Sequence, residues 1–182
     1  MSGPVPAGYR SVGEHRIRES AGFTFDEFVV GTVIEHRPGR TVTETDNVLM
    51  TALTGNTAPI HLDAHYAAQT SWGRPLVCSL VTLAIVGGMT VRSTSGLTTA
   101  NLGWREIELP APVFIGDTLY AESEITGKRR SVSHPDRGIV TCRTTAFTAA
   151  DGAPPADWQQ VLHYTRSFFV PASGAERERV GY

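Results

Sequence analysis

The pattern of apolar positions changes along this chain. The segment Leu76–Arg92 is apolar on almost every side, which is typical of a helix enclosed by other elements. Four of its side chains are expected to be almost fully buried: Leu80, Leu83, Ala84 and Val91. The later segments are rich in Thr, Val, Ile, Tyr and Phe. They predict strands over Thr98–Leu109, Thr118–Lys128, Gly138–Thr148 and Val161–Val170. Because helices come early and strands late, we expect an α+β fold in which an antiparallel sheet wraps around one helix.

Shorter elements precede the apolar segment. A strand pair is predicted over residues 32–43, with its turn at Pro38-Gly39. A capped helix then extends to Thr54 and stops at a glycine. Residues 56–61 form a loop, and residues 63–72 fit a second short helix. Two short helices would therefore hold the loop at both ends.

The length of 182 residues suits one domain with a sizeable core. We expect that domain to occupy residues 23–171, because residues 1–22 and 172–182 have the composition of a flexible lead-in and a flexible tail. The formal net charge is −2 and there is no long basic run, which argues against nucleic-acid binding. No apolar stretch reaches the roughly 20 residues that a membrane helix needs. With two distant cysteines and no signal-peptide pattern at the start, the protein is expected to be cytoplasmic.

The loop of residues 56–61 is the best candidate for chemistry. Asn56 supplies an amide, and His61 is a natural acid or base because its ordinary pKa lies near neutral pH. The alternative is that His61 only packs or caps the following helix, which is the commoner situation for a single histidine. His61 and His65 have the spacing of two zinc ligands, but the glutamate of that motif is missing, so no metal site is expected.

Several motifs, in order along the chain, resemble those of the MaoC-like hydratase/dehydratase family. The first is the Asn56–His61 loop, which is followed by a short helix and then the apolar helix. The later ones are FIGDTL at residues 114–119 and KRRSVSHPDRGIV at residues 128–140. The pattern TxNTxPxHLD is similar to the branch of mesaconyl-CoA hydratases and β-methylmalyl-CoA dehydratases. The resemblance covers about residues 23–171.

This resemblance implies a hot-dog fold and a lyase that hydrates an enoyl-CoA or dehydrates a 3-hydroxyacyl-CoA. It implies that His61 transfers the proton and that the backbone N–H of Ser79 polarises the thioester carbonyl. Many family hydratases carry aspartate where this chain has Asn56. An amide cannot act as a base, so Asn56 would hold the water or hydroxyl instead.

The resemblance also suggests roles for residues beyond the loop. Asn101 and Trp104 would line the acyl pocket, and three arginines would bind the nucleotide phosphates of CoA: Arg129, Arg130 and Arg137. The alternatives are that Trp104 belongs to the core or to a dimer contact, and that the arginines belong to a solvated turn. No cofactor is expected besides the CoA of the substrate itself. A homodimer or a higher homo-oligomer is expected, because a lone hot-dog leaves a sheet edge and part of the helix uncovered.

Two other functions remain open on the sequence. A non-catalytic acyl-CoA-binding or partner subunit is plausible because Asn56 replaces the usual aspartate. A hot-dog thioesterase would hydrolyse the thioester and leave the alkene unchanged.

Overall fold

A five-stranded antiparallel sheet forms the centre of the molecule. The structure, a computed structural model, describes residues 5–6, 8–149 and 153–172. The strands and α-helices in chain order are β1 Tyr9–Gly13, β2 Arg16–Glu19, β3 Val33–Thr41, α1 Glu44–Thr54, α2 Pro59–Leu62, α3 Ala64–Ala68, α4 Ser79–Thr90, β4 Ala100–Glu108, β5 Thr118–Arg130, β6 Arg137–Thr148 and β7 Gln159–Pro171. A π-helical turn, Val91–Ser95, continues α4. The strand order in the central sheet is β3-β5-β6-β7-β4.

One face of the sheet packs against α4. Every second side chain along the first part of β5 is buried, namely Leu119, Ala121, Ser123 and Ile125. Val81 and Val86 of α4 are buried in the same core cluster as Leu119 and Ala121. The predicted α+β architecture, a sheet against one long helix, is therefore confirmed.

The four strands predicted after the central helix are confirmed. Their observed ends differ from the predicted ones by two residues at most. Turn-forming segments rich in Pro, Asp, Ser and Gly separate these β-branched runs, and such segments disfavour the continuation of a strand.

The strand pair predicted over residues 32–43 is wrong. The chain forms one strand, β3, which pairs with β5 on both sides of Pro38-Gly39 and shifts register between His36 and Arg40. Gly39 is therefore not a turn residue. A Cβ at Gly39 would lie 2.6 Å from the ring of Tyr120, so the glycine permits close approach of the neighbouring strand.

The two ends of the chain were both expected to be flexible, and the structure describes most of the first and little of the second. Within the segment expected to be a flexible lead-in, β1 and β2 pair as an antiparallel hairpin. Nearly all of their side chains are exposed, so no buried face marks these strands in the sequence. Residues 173–182 of the predicted tail lie outside the described residues.

The expectation that α4 is enclosed on all sides is wrong. Leu80 and Val91 are 46% and 45% exposed, Ala84 is also exposed, and Leu83 is half-buried. The sheet covers only one side of the helix, and the opposite side is apolar but uncovered. An apolar sequence therefore does not show which face of a helix is covered within one chain.

Helix α1 leads directly into the candidate site. Its N-terminus is capped by Thr43, whose hydroxyl accepts a hydrogen bond from the Asp46 N–H, while the Asp46 side chain bonds back to Thr43. Gly55 ends the helix in the left-handed conformation, with φ of 65°. The chain then turns sharply, so that Asn56 faces the beginning of α4.

Candidate active site

Three segments meet at the N-terminus of α4. The first is the turn after α1, in which the Asn56 N–H donates to the carbonyl of Thr51 at 3.0 Å. The second is α2, a single helical turn where a loop was predicted. The third is the chain entering α4, where the Leu76 N–H donates to the Ile60 carbonyl at 3.0 Å. These backbone bonds place the loop residues beside the helix.

His61 lies on α2 and is half-buried. Its Nδ1 is 3.0 Å from the carbonyl oxygen of Leu76. Since a carbonyl oxygen can only accept, Nδ1 of the neutral ring carries the proton and Nε2 keeps its lone pair. The ring is therefore held in the tautomer that can take a proton at Nε2.

Asn56 is fixed by bonds at both ends of its amide. Its Oδ1 accepts a hydrogen bond from the Ala58 N–H at 3.1 Å, and its Nδ2 donates to the sulfur of Cys78 at 3.4 Å. Nδ2 keeps a second N–H and Oδ1 keeps a second lone pair, so either atom can still bond to a ligand. Asn56 can thus donate a hydrogen bond to a hydroxyl or water oxygen.

Ser79 is the first residue of α4. The N–H groups in the first turn of a helix have no acceptor within the helix, and they carry the positive end of its dipole. Ser79 is exposed and follows Cys78, the residue that Asn56 contacts. The structure therefore brings the Ser79 N–H, Asn56 and His61 to the same helix end.

Asn47 was not identified from the sequence. It lies on α1, is 1% exposed, and its amide bonds to the backbone of residues 61 and 78. An asparagine within a polar stretch of helix gives no sign of burial, because only the folded arrangement of α1, α2 and α4 encloses it.

The two residues predicted to line the acyl pocket lie beside Arg166 of β7. The guanidinium donates to Asn101 Oδ1 at 2.7 Å and lies 5.0 Å from the centre of the Trp104 ring. Trp104 lines an apolar groove of about 450 Å³ along the uncovered side of α4, together with Leu80 and Met50. Asn101 is exposed and does not line this groove.

The three predicted phosphate-binding arginines lie far from His61 within one chain. The chain just before β5 contacts the entry to α4, since the Val77 N–H donates to the Val113 carbonyl. From there β5 extends 13 residues to Arg130, a distance of about 40 Å along the strand. Arg130 pairs with Asp26 at 2.7 Å. Arg137, 3.5 Å from Asp136, and the exposed Arg129 belong to the same distant end of the sheet.

The sequence and the fold have counterparts among known proteins. Residues 27–146 match the MaoC like domain. The chain belongs to the MaoC-like domain family. The match includes the loop, α4 and most of the sheet of this MaoC-like protein.

Individual relatives support the same assignment. This MaoC-like chain is 33% identical to β-methylmalyl-CoA dehydratase of Chloroflexus aurantiacus, over 93% of the chain and 50% of the relative. It is 33% identical to (R)-specific enoyl-CoA hydratase of Aeromonas caviae, over 53% of the chain and 68% of the relative. The chain thus spans about half the length of the first of these. A Mycobacterium tuberculosis protein with a double hot-dog fold aligns with a TM-score of 0.73 and 26% identity, over 84% of this chain and 45% of that one.

Two further findings concern membrane-spanning helices and metal-binding clusters in this MaoC-like chain. Among the described residues, no helix is both long and apolar enough to cross a membrane. Within the same residues, no three histidine, cysteine or acidic side chains are grouped as a metal ion would require.

Proposed function

We propose that this MaoC-like chain catalyses the reversible hydration of an enoyl-CoA, and equally the dehydration of a 3-hydroxyacyl-CoA. The observation that carries the proposal is the hydrogen bond from His61 Nδ1 to the Leu76 carbonyl, which leaves Nε2 as a base at the N-terminus of α4. The relatives named for hydration and dehydration of CoA thioesters support the same chemistry.

In the dehydration direction, His61 Nε2 removes a proton from the carbon next to the thioester carbonyl. The electron pair moves toward the carbonyl oxygen, and the Ser79 N–H with the dipole of α4 stabilises the developing negative charge. The pair then forms the alkene as the bond from the β-carbon to its hydroxyl breaks. His61 returns the proton to this hydroxyl, which leaves as water.

Asn56 positions the departing oxygen in this mechanism. Its second Nδ2 hydrogen donates to the hydroxyl, while the bonds to Ala58 and Cys78 keep the amide from rotating. The proton is carried by His61 alone, since an amide does not titrate. No cofactor takes part besides the CoA carried by the substrate.

The same proposal includes a homodimer in the cytoplasm. Strands β3 and β4 lie at the two edges of the five-stranded sheet, and one side of α4 exposes apolar residues. A second copy would cover these surfaces. Cys78 and Cys142 are free, buried thiols, which fits a reducing compartment.

Incubation with crotonyl-CoA and mesaconyl-CoA tests the function. Loss of enone absorbance identifies a hydratase, release of free thiol identifies a thioesterase, and saturable binding with neither identifies a binding subunit. His61→Ala should lower kcat by about 10²–10⁴, the usual effect of losing a general acid or base. His65→Ala is the matched control, because His65 is exposed on α3, and it should leave kcat unchanged. An active parent whose rate survives His61→Ala would refute the mechanism.

A further inference from the structure

Asn47 is a buried polar side chain with no step in the proposed mechanism. It is the fourth residue of α1 and is 1% exposed. A buried amide destabilises a protein unless its donors and acceptor are hydrogen-bonded. The partners of Asn47 therefore indicate why an amide stands at this position.

The hydrogen bonds of the Asn47 side chain are made to backbone groups of the candidate site. Oδ1 accepts from the Cys78 N–H at 2.8 Å. Nδ2 donates to the carbonyl of His61 at 2.9 Å and, less closely, to that of Leu76 at 3.4 Å. One amide thus joins α1, α2 and the entry to α4.

The Leu76 carbonyl connects Asn47 to the imidazole ring. This oxygen accepts from His61 Nδ1 at 3.0 Å as well as from Asn47 Nδ2. A carbonyl oxygen has two lone pairs, so both bonds can exist together. The amide therefore orients the acceptor that fixes the His61 tautomer, and it also holds the backbone of His61 itself.

The same amide fixes the beginning of α4. Cys78 is the N-cap residue, and its side chain makes no capping hydrogen bond. The N–H of Cys78 itself donates to Oδ1 of Asn47, a residue of another helix. The position of the next N–H, that of Ser79, follows from this contact.

We propose that Asn47 is a positioning residue that keeps the His61 imidazole and the Ser79 N–H at a fixed separation. In the proposed reaction both groups act on one small substrate fragment, the α-carbon and its thioester carbonyl. A misplacement of about 1 Å between such groups lowers a rate by about 100-fold. The kinetic part of this inference rests on the proposed function, and its structural part does not.

The first test compares Asn47→Ala with Thr51→Ala. Thr51 is a matched control because it is also buried on α1, one turn further on, and its hydroxyl bonds only to carbonyls of its own helix. Asn47→Ala should lower kcat for enoyl-CoA hydration by about 100-fold and change KM by less than about threefold. Thr51→Ala should change neither by more than about threefold.

The second test does not depend on activity. In the folded protein the His61 Nδ1 proton should give an NMR signal protected from exchange with water, assigned by its absence in His61→Ala. We expect this signal to be lost in Asn47→Ala and kept in Thr51→Ala. If Asn47→Ala does not fold, Asn47→Asp replaces it, because the carboxylate keeps the bond from Cys78 but cannot donate to either carbonyl.

The outcomes separate this inference from the proposed function. If the parent is active and the Asn47 variant changes kcat no more than Thr51→Ala does, the inference is overturned and the proposed function stands. A parent without hydratase activity overturns the function. In that case the NMR signal decides, since its retention in the Asn47 variant overturns the positioning role and its selective loss supports that role.

Discussion

The stability of this protein should fall as the pH is lowered, because His36 is buried in a neutral form. His36 is 3% exposed, and its two ring nitrogens bond to the hydroxyls of Ser93 at 2.7 Å and Ser123 at 2.8 Å. Burial, and to a smaller extent the charge of Arg37, lowers the pKa of His36 from 6.5 to about 4. Between these two pH values the unfolded chain binds a proton that the folded chain does not.

The sign and size of the effect follow from proton linkage. Because the unfolded state binds more protons, the free energy of unfolding decreases as the pH falls from about 6.5 toward 4. Each unit of pKa difference corresponds to about 1.4 kcal/mol, so His36 should cost about 2 kcal/mol at pH 5 and about 3 kcal/mol at pH 4, relative to pH 8. Domains of this size are stable by only about 5–15 kcal/mol.

Urea unfolding followed by tryptophan fluorescence at pH 8, 6 and 5 measures this loss. Protein concentration is kept constant, since a dimer's stability depends on it. His36→Gln is the key variant, because glutamine is neutral at every pH, and the loss between pH 8 and pH 5 should be about 2 kcal/mol smaller than in the parent. The exposed His65→Gln should behave like the parent. Equal pH dependence in the parent and His36→Gln would refute the reasoning.

Three further predictions concern the site, the dimer and the sheet. Asn56→Asp should not raise kcat in the hydratase assay, because a carboxylate would repel the negative charge of the developing enolate; a gain of activity would contradict this. Ala84→Glu, on the uncovered side of α4, should shift the light-scattering mass toward a monomer, whereas Val132→Glu in an exposed turn should not. Gly39→Ala should destabilise the fold by about 1–3 kcal/mol in urea unfolding, because its Cβ would meet a tyrosine ring, whereas Gly127→Ala has open space and should not.

Local signals in the sequence predicted most of the strands, but they did not predict that β3 runs through Pro38-Gly39 as one strand. The runs that became β5, β6 and β7 are separated by segments rich in turn-forming residues, so their approximate ends are visible locally. Pro38-Gly39 has the same local signal, yet β3 continues through it, because pairing with β5 on both sides outweighs the turn preference. That pairing joins residues 77 to 91 positions apart, and no local pattern contains it.

The candidate site divides in a similar way. Asn56 and His61 are visible because a polar loop between two short helices is a known place for chemistry, and the structure places both beside α4. Asn47 contacts the site only because α1, α2 and the entry to α4 meet around it in the fold. Its residue type alone therefore does not reveal this role. The arginines of the β5–β6 turn are conspicuous as charges, but position along a strand, rather than charge, determines what they can reach.

The uncovered side of α4 connects the proposed reaction to the proposed dimer. The exposed apolar stripe begins at Leu80, immediately after the Ser79 N–H that would hold the thioester oxygen, and it continues along the groove to Val91. An acyl chain extending from Ser79 and a second subunit covering α4 would therefore lie on neighbouring parts of one surface. In a monomer that surface stays open to water, which weakens the electrostatic stabilisation of an enolate at the helix N-terminus. Ala84 has no role in the proposed chemistry. Even so, Ala84→Glu should lose hydratase activity in parallel with the dimer. Full activity in a monomeric variant would show that the reaction does not depend on the dimer.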